Sequence, residues 1–221
     1  MRFTGFWGTG PRSPVGFVEG ELMSTAIADS EVLDYYNFLA KSLCRVEISD
    51  GVGEKLSQGR ALERVIGWAR AAHADGRKLM FIGNGGSAGI CSHMATDYSK
   101  NGNMRSLAFN DGSMLTCLGN DLGYENVFAK QLDLHAAPGD LLIAISSSGR
   151  SRNILDGVAT AKKRGCQVVT LSGFGADNPL RKLGDINFYL PSDQYGYVEI
   201  GHLAICHAIL DFACGLKVPQ D

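Results

Sequence analysis

Two stretches of helical pattern carry the residue types that move protons. His93 and Asp97 stand four positions apart. That spacing places both on one helix face, ~40° apart around the axis and about one turn along it. Glu199 and His207 share a face of a later stretch, eight positions apart, which is ~12 Å along an ideal axis. A carboxylate and an imidazole suit general acid–base work near neutral pH. The same nitrogen and oxygen donors suit a divalent metal, although ~12 Å is long for one ion unless Glu199 lies in an irregular first turn. A carboxylate that ligates a metal is not simultaneously a free base, so the two chemistries compete. His202, on the same stretch, reads as a structural histidine, and His73 and His135 as surface residues near helix ends.

Two loops are suited to an anion. An apolar run ends in Gly83-Asn84-Gly85-Gly86-Ser87 and then turns helical. Glycines let main-chain N–H groups approach an anion, a helix N-terminus adds partial positive charge, and Ser87 adds a hydroxyl. A second run ends in Ser146-Ser147-Ser148-Gly149-Arg150-Ser151, again before a helical pattern. Hydroxyls and end-of-helix amides hold a phosphate without a lysine. Neither loop is a P-loop or a dinucleotide fingerprint: the spacing fits neither G-x-x-x-x-G-K-[ST] nor G-x-G-x-x-G. The plain alternative for each loop is a tight strand-to-helix turn.

The elements that must position these residues follow from periodicity. Continuous apolar runs at residues 78–83, 106–110, 140–146, 167–172 and 186–190 predict five strands buried on both faces. Helical spacing predicts helices over 88–99, 114–131, 153–163 and 198–213. Two further helices are expected before the first strand: 30–43, capped by Ser30, and one from near Gly53 to Ala74, stopped by Asp75-Gly76. Alternating strands and helices imply an α/β fold with a parallel sheet covered on both sides. Ligands then bind beyond the carboxyl ends of the strands, where both loops fall.

Composition bounds the rest. The 221 residues suffice for one core, with 45% apolar and 20% charged residues. A net charge of −2 favours neither nucleic acid nor an acidic membrane as partner. No apolar run approaches the ~20 residues of a membrane span. The six cysteines lack C-x-x-C spacing and read as reduced thiols in a cytoplasmic protein. Residues 1–25 are Gly- and Pro-rich at their start and are expected to be disordered or peripheral, with one domain over 26–221.

In order, Gly83-Asn84-Gly85-Gly86-Ser87, Asn110-Asp111, Gly119-Asn120-Asp121 and Ile145-Ser146-Ser147-Ser148-Gly149 resemble the sugar isomerase (SIS) domain. The resemblance is nearest to its phosphoheptose isomerase branch and covers roughly Ser30 to Leu216. It implies a three-layer αβα sandwich of flavodoxin or Rossmann type with a five-stranded parallel sheet. It also implies a homotetramer with shared active sites. Phosphate would be held by Ser87, Ser146, Ser147, Ser148 and Ser151, with Gly85 in the cradle; Asn84, Asp111 and Glu199 would face the sugar. Asp97 and His207 would form the acid–base pair. His93, Asp97, Glu199 and His207 match positions that bind zinc in some members; no nucleotide cofactor is implied. The implied reaction converts sedoheptulose 7-phosphate to D-glycero-D-manno-heptose 7-phosphate through an enediol. Three positions depart from the family pattern: Asp97 where Glu is usual, Glu199 where Gln is usual, and Gly196 where an Asp is thought to assist catalysis. Two other functions fit the same resemblance: a non-catalytic phosphosugar- or protein-binding module, and another SIS isomerase or lyase. Retention of His93, Asp97 and His207 favours catalysis over binding alone.

Overall fold

The computed structural model describes residues 26–219, so the extension expected over residues 1–25 lies outside it. The chain opens with α1 (Asp29–Cys44), β1 (Glu47–Asp50), β2 (Lys55–Leu56) and α2 (Gln58–Ala74). There follow β3 (Leu79–Gly83), α3 (Gly86–Lys100), β4 (Ser106–Ala108), α4 (Gly112–Leu122) and α5 (Val127–His135). The remainder is β5 (Leu141–Ser146), α6 (Arg152–Lys163), β6 (Gln167–Ser172), β7 (Ile186–Tyr189) and α7 (Tyr195–Ala213).

The sheet runs β2-β1-β7-β6-β5-β3-β4. The five expected strands are β3 to β7, and they pair in parallel. The expectation of five strands is corrected to seven, because β1 and β2 add an antiparallel pair beyond β7. These two are short and partly polar, so they carry no apolar run. The expected helix from Gly53 is corrected too: Ser57 caps α2, its hydroxyl accepting from Arg60 N at 3.4 Å. Ser30 is not a cap; it lies inside α1, and Glu31 accepts from Ala28 N at 2.9 Å. The single helix expected over 114–131 breaks at Gly123, whose φ of 86° is a glycine conformation.

Alternation along the buried strands builds the three layers. Leu79, Phe81, Leu141 and Ile143 face α2, α3 and α7, packing with Val65, Met94, Tyr98 and Ile209. Met80, Ile82, Leu142 and Ala144 face the other way, onto Phe128, Leu132, Ile154 and Val158. Each large apolar side chain fully buried this way contributes about 1.5–3 kcal/mol. At the amino ends of the strands, Asp140 is fully buried. It accepts from Lys78 N at 3.0 Å, Lys78 Nζ at 2.6 Å and Ala137 N at 2.8 Å. That pins β3 to β5.

His202 is fully buried on α7, and neither ring nitrogen has a partner among the described residues. Its burial pushes the pKa down from 6.5 to about 4, offset only in part by the nearby Ser172 main chain. The unfolded chain therefore takes this proton at a higher pH than the folded one. Stability is full above pH 6.5 and falls as the pH drops toward about 4. The loss from this group is expected to reach roughly 3 kcal/mol. Denaturant titrations across that range should show it in the wild type and lack it in His202→Leu; parallel pH profiles would remove His202 as the cause.

Candidate active site

The site begins with strand register. Gly83 at the end of β3 lies opposite Ile145 of β5, and Ser146 opposite Ser172 of β6. The two loops thus leave one sheet edge from strands ~4.8 Å apart. Gly85 has a φ of 54°, which lets the chain enter α3 at once. Gly149 has a φ of 62°, and a side chain there would collide with Asn178. Asn178 is fully buried, its amide nitrogen donating to Ser172 Oγ, Gly173 O and Gly175 O, so it fixes the second loop from beneath.

Between the tips lies a cavity of about 220 Å³. The first loop lines it with Asn84, Gly85, Gly86 and Ser87, the second with Ser146, Ser147, Ser148 and Ser151. The N-termini of α3 and α6 open here and offer main-chain N–H groups to an anion, with no lysine or arginine in the lining. The Ser146 hydroxyl donates to Ser151 Oγ at 3.3 Å and accepts from Gly149 N at 3.2 Å. Ser148 Oγ accepts from Arg150 N at 3.3 Å. A larger cavity of about 480 Å³ beside Val46, Lys55 and Arg181 receives neither loop, so size does not single out the site.

Asn84 lines the cavity, but its amide is paired reciprocally with Asn153, both bonds at 2.9 Å, and Tyr124 donates to its oxygen at 3.0 Å. Asp111 is not in the cavity lining; its carboxylate caps α4, accepting from Met114 N at 2.9 Å. Within this chain the structure thus gives Asp111 a capping role and places it outside the cavity.

The candidate acid–base residues form a second centre. His93, Asp97 and His207 offer ligand atoms all within 4.8 Å of one another. His93 Nε2 is 3.5 Å from Asp97 Oδ2, and the two imidazole rings are 5.3 Å apart. Glu199 is not among them. It lines the cavity between the two loops, its carboxylate packed against Gly86, where only hydrogen leaves room. Of the four residues expected to hold a metal, the structure brings three together and leaves Glu199 apart, since α7 is regular from Tyr195 and eight residues span ~12 Å. Two imidazoles and a carboxylate suit zinc and leave a fourth position for water or substrate.

Because Glu199 meets Gly86 and His207 meets His93, α3 and α7 run parallel. The seven residues from Gly86 to His93 set the two centres ~10 Å apart. Tyr195, at the start of α7, also lines the cavity. Neither Tyr195 nor Asn153 was visible beforehand: an aromatic near a helix start and an asparagine inside one carry no motif.

This geometry agrees with comparison to known proteins. Residues 51–173 match the SIS domain family model. The chain belongs to the SIS domain family. The phosphoheptose isomerase of Akkermansia muciniphila is 34% identical over 170 residues, covering 74% of this chain and 89% of the relative. That of Geobacter metallireducens is 35% identical over 171 residues, covering 75% and 89%. The solved phosphoheptose isomerase of Francisella tularensis shares the fold, with a TM-score of 0.72 at 23% identity, covering 86% of this chain and all of that one. That of Neisseria gonorrhoeae gives 0.70 at 23% identity, covering 83% and 98%. The nearer resemblance, to the phosphoheptose isomerase branch of the SIS family, therefore holds.

Ser148→Ala should weaken binding of inorganic phosphate about tenfold, the cost of one hydrogen bond to a charged group. Calorimetric titration checks this, and an unchanged affinity would remove the loop from the cradle.

Proposed function

We propose that the chain is a ketose–aldose isomerase acting on sedoheptulose 7-phosphate. The observation that carries this reading is the pairing of a lysine-free anion cavity with a His93–Asp97–His207 cluster on the same two parallel helices. The spacing supports a long sugar. From C2 to phosphorus an extended heptulose 7-phosphate spans roughly 9 Å, given bonds of ~1.5 Å. The cavity and the cluster are ~10 Å apart along α3. The curated relatives support the reading, being named phosphoheptose isomerases.

In this reading the phosphate sits on the α3 and α6 amides with the serine hydroxyls around it. Glu199, an acceptor beside Gly86, takes a hydroxyl of the sugar chain. At the far end, one member of the Asp97–His207 pair removes a proton from C1 of the ketose while the other protonates O2, giving the enediol. The reverse transfer then takes the O1 proton and delivers one to C2, giving the aldose. His93, Asp97 and His207 would hold a zinc ion, which when bound would polarise the carbonyl as a Lewis acid. A carboxylate engaged by the ion is not free to take a proton, so Asp97 fills one role at a time.

A homotetramer is part of the proposal. Val32, Leu33 and Tyr36 of α1 are exposed on one side of the helix, an apolar face of the kind that partner subunits cover. Six free thiols accord with a reducing cytoplasm. A module that only binds would have no use for the histidine–aspartate cluster.

Asp97→Asn should cut turnover of sedoheptulose 7-phosphate by about 100-fold or more while the melting temperature is kept. Unchanged turnover would take Asp97 out of the reaction. Elemental analysis of protein purified without chelator should find about one zinc per chain, lost in His93→Ala. Metal-free protein with full activity would leave the three residues as a free acid–base set.

A further inference from the structure

One bulky residue beside the site holds a backbone conformation it rarely adopts. Phe174, in the loop after β6, has a φ of 55°. Side chains with a Cβ are disfavoured there, and such outliers persist only where surroundings enforce them. Here they do. Phe174 N donates to Ser192 O, and Tyr189 Oη donates to Phe174 O, both at 2.8 Å. The preceding Gly173 N donates to Ser147 O at 3.0 Å, tying the segment directly to the second phosphate loop. In this conformation the Phe174 ring meets Tyr195 edge to face, centroids 4.8 Å apart at 82°.

Tyr195 itself is 61% exposed and lines the cavity. Its hydroxyl has no partner among the described residues. The fold gains little from a mostly exposed aromatic ring held by a strained neighbour. A ligand does gain, because a ring fixed in advance loses no rotamer freedom on binding.

We propose that Tyr195 is a binding residue for the sugar portion of the substrate, with Phe174 the positioning residue that holds its ring. The ring borders the serine loop, so it packs on the C–H bonds of the carbons nearest the phosphate. Those bonds present weak positive charge to the negative face of the ring. The phosphate is served by the loops, and an uncharged ring adds nothing to it. This proposal rests on the phosphosugar reading above.

The test uses the full chain and two ligands, inorganic phosphate and sedoheptulose 7-phosphate, titrated calorimetrically alongside KM and kcat. Tyr195→Ala should weaken sugar-phosphate binding about tenfold and raise KM to match, with kcat kept, as expected when uniform binding is lost. Its affinity for inorganic phosphate should stay within about twofold, which a distorted loop would not allow. Tyr195→Phe keeps the ring and should stay near wild type on both ligands. Phe174→Ala should lower sugar-phosphate affinity by a smaller factor, again in KM. The proposal is overturned if Tyr195→Ala binds sugar phosphate like wild type, or loses both ligands equally. A wild type that binds the sugar phosphate without converting it would sink the isomerase reading, and the affinity comparison would still decide Tyr195. A wild type binding the sugar phosphate no more tightly than inorganic phosphate would overturn this proposal as well.

Discussion

The register of β3 against β5 is the constraint on which the site depends. Gly83 and Ile145 lie side by side, so the glycine loop and the serine loop leave the sheet together. A slip of one residue would turn every side chain of β3 to the wrong layer and part the loops. Asp140 guards against this at the opposite end of the sheet, holding both the main-chain nitrogen and the ammonium of Lys78. A buried carboxylate with three donors is expensive to leave unpaired, so the shifted register is penalised twice. The two core layers on either face then hold the strands at that setting.

From this register the division of labour follows. Helices that start at adjacent strand tips point their positive ends into one cavity, which removes the need for a lysine. The helices then carry chemistry away from the tips. Seven residues along α3 and eight along α7 put His93 beside His207 and leave Glu199 behind with Gly86. In the proposed reading, anion recognition and proton transfer are separated by a fixed length of helix, and that length suits a long sugar better than a short one.

Much of this was legible in the residues. Apolar runs ending in glycine or serine marked β3 and β5, and the i,i+4 pair His93 and Asp97 marked one face of α3. Glu199 was expected both to face the substrate and to join the metal set, and it lines the cavity instead of the cluster, because helical spacing gives a shared face but not which neighbour a side chain meets; Gly86, which admits its carboxylate, stands far earlier in the chain, in the glycine loop. Asp111 stood in a recognisable motif, and a carboxylate just before a helix start also serves as a cap, which is the bond the fold shows. β1 and β2 escaped because strands of four and two residues, both partly polar, have too little periodicity to read. The strained Phe174 escaped for a different reason: its left-handed backbone is imposed by Ser192 and Tyr189, which are distant in the chain.

A crystal structure of the chain with sedoheptulose 7-phosphate bound tests the central claim most directly. The account predicts phosphate oxygens within hydrogen-bond distance of Ser146, Ser147 and Ser148, and C1 and C2 of the sugar beside Asp97 and His207. A phosphate held elsewhere, or a sugar chain running away from the histidine–aspartate cluster, would contradict it.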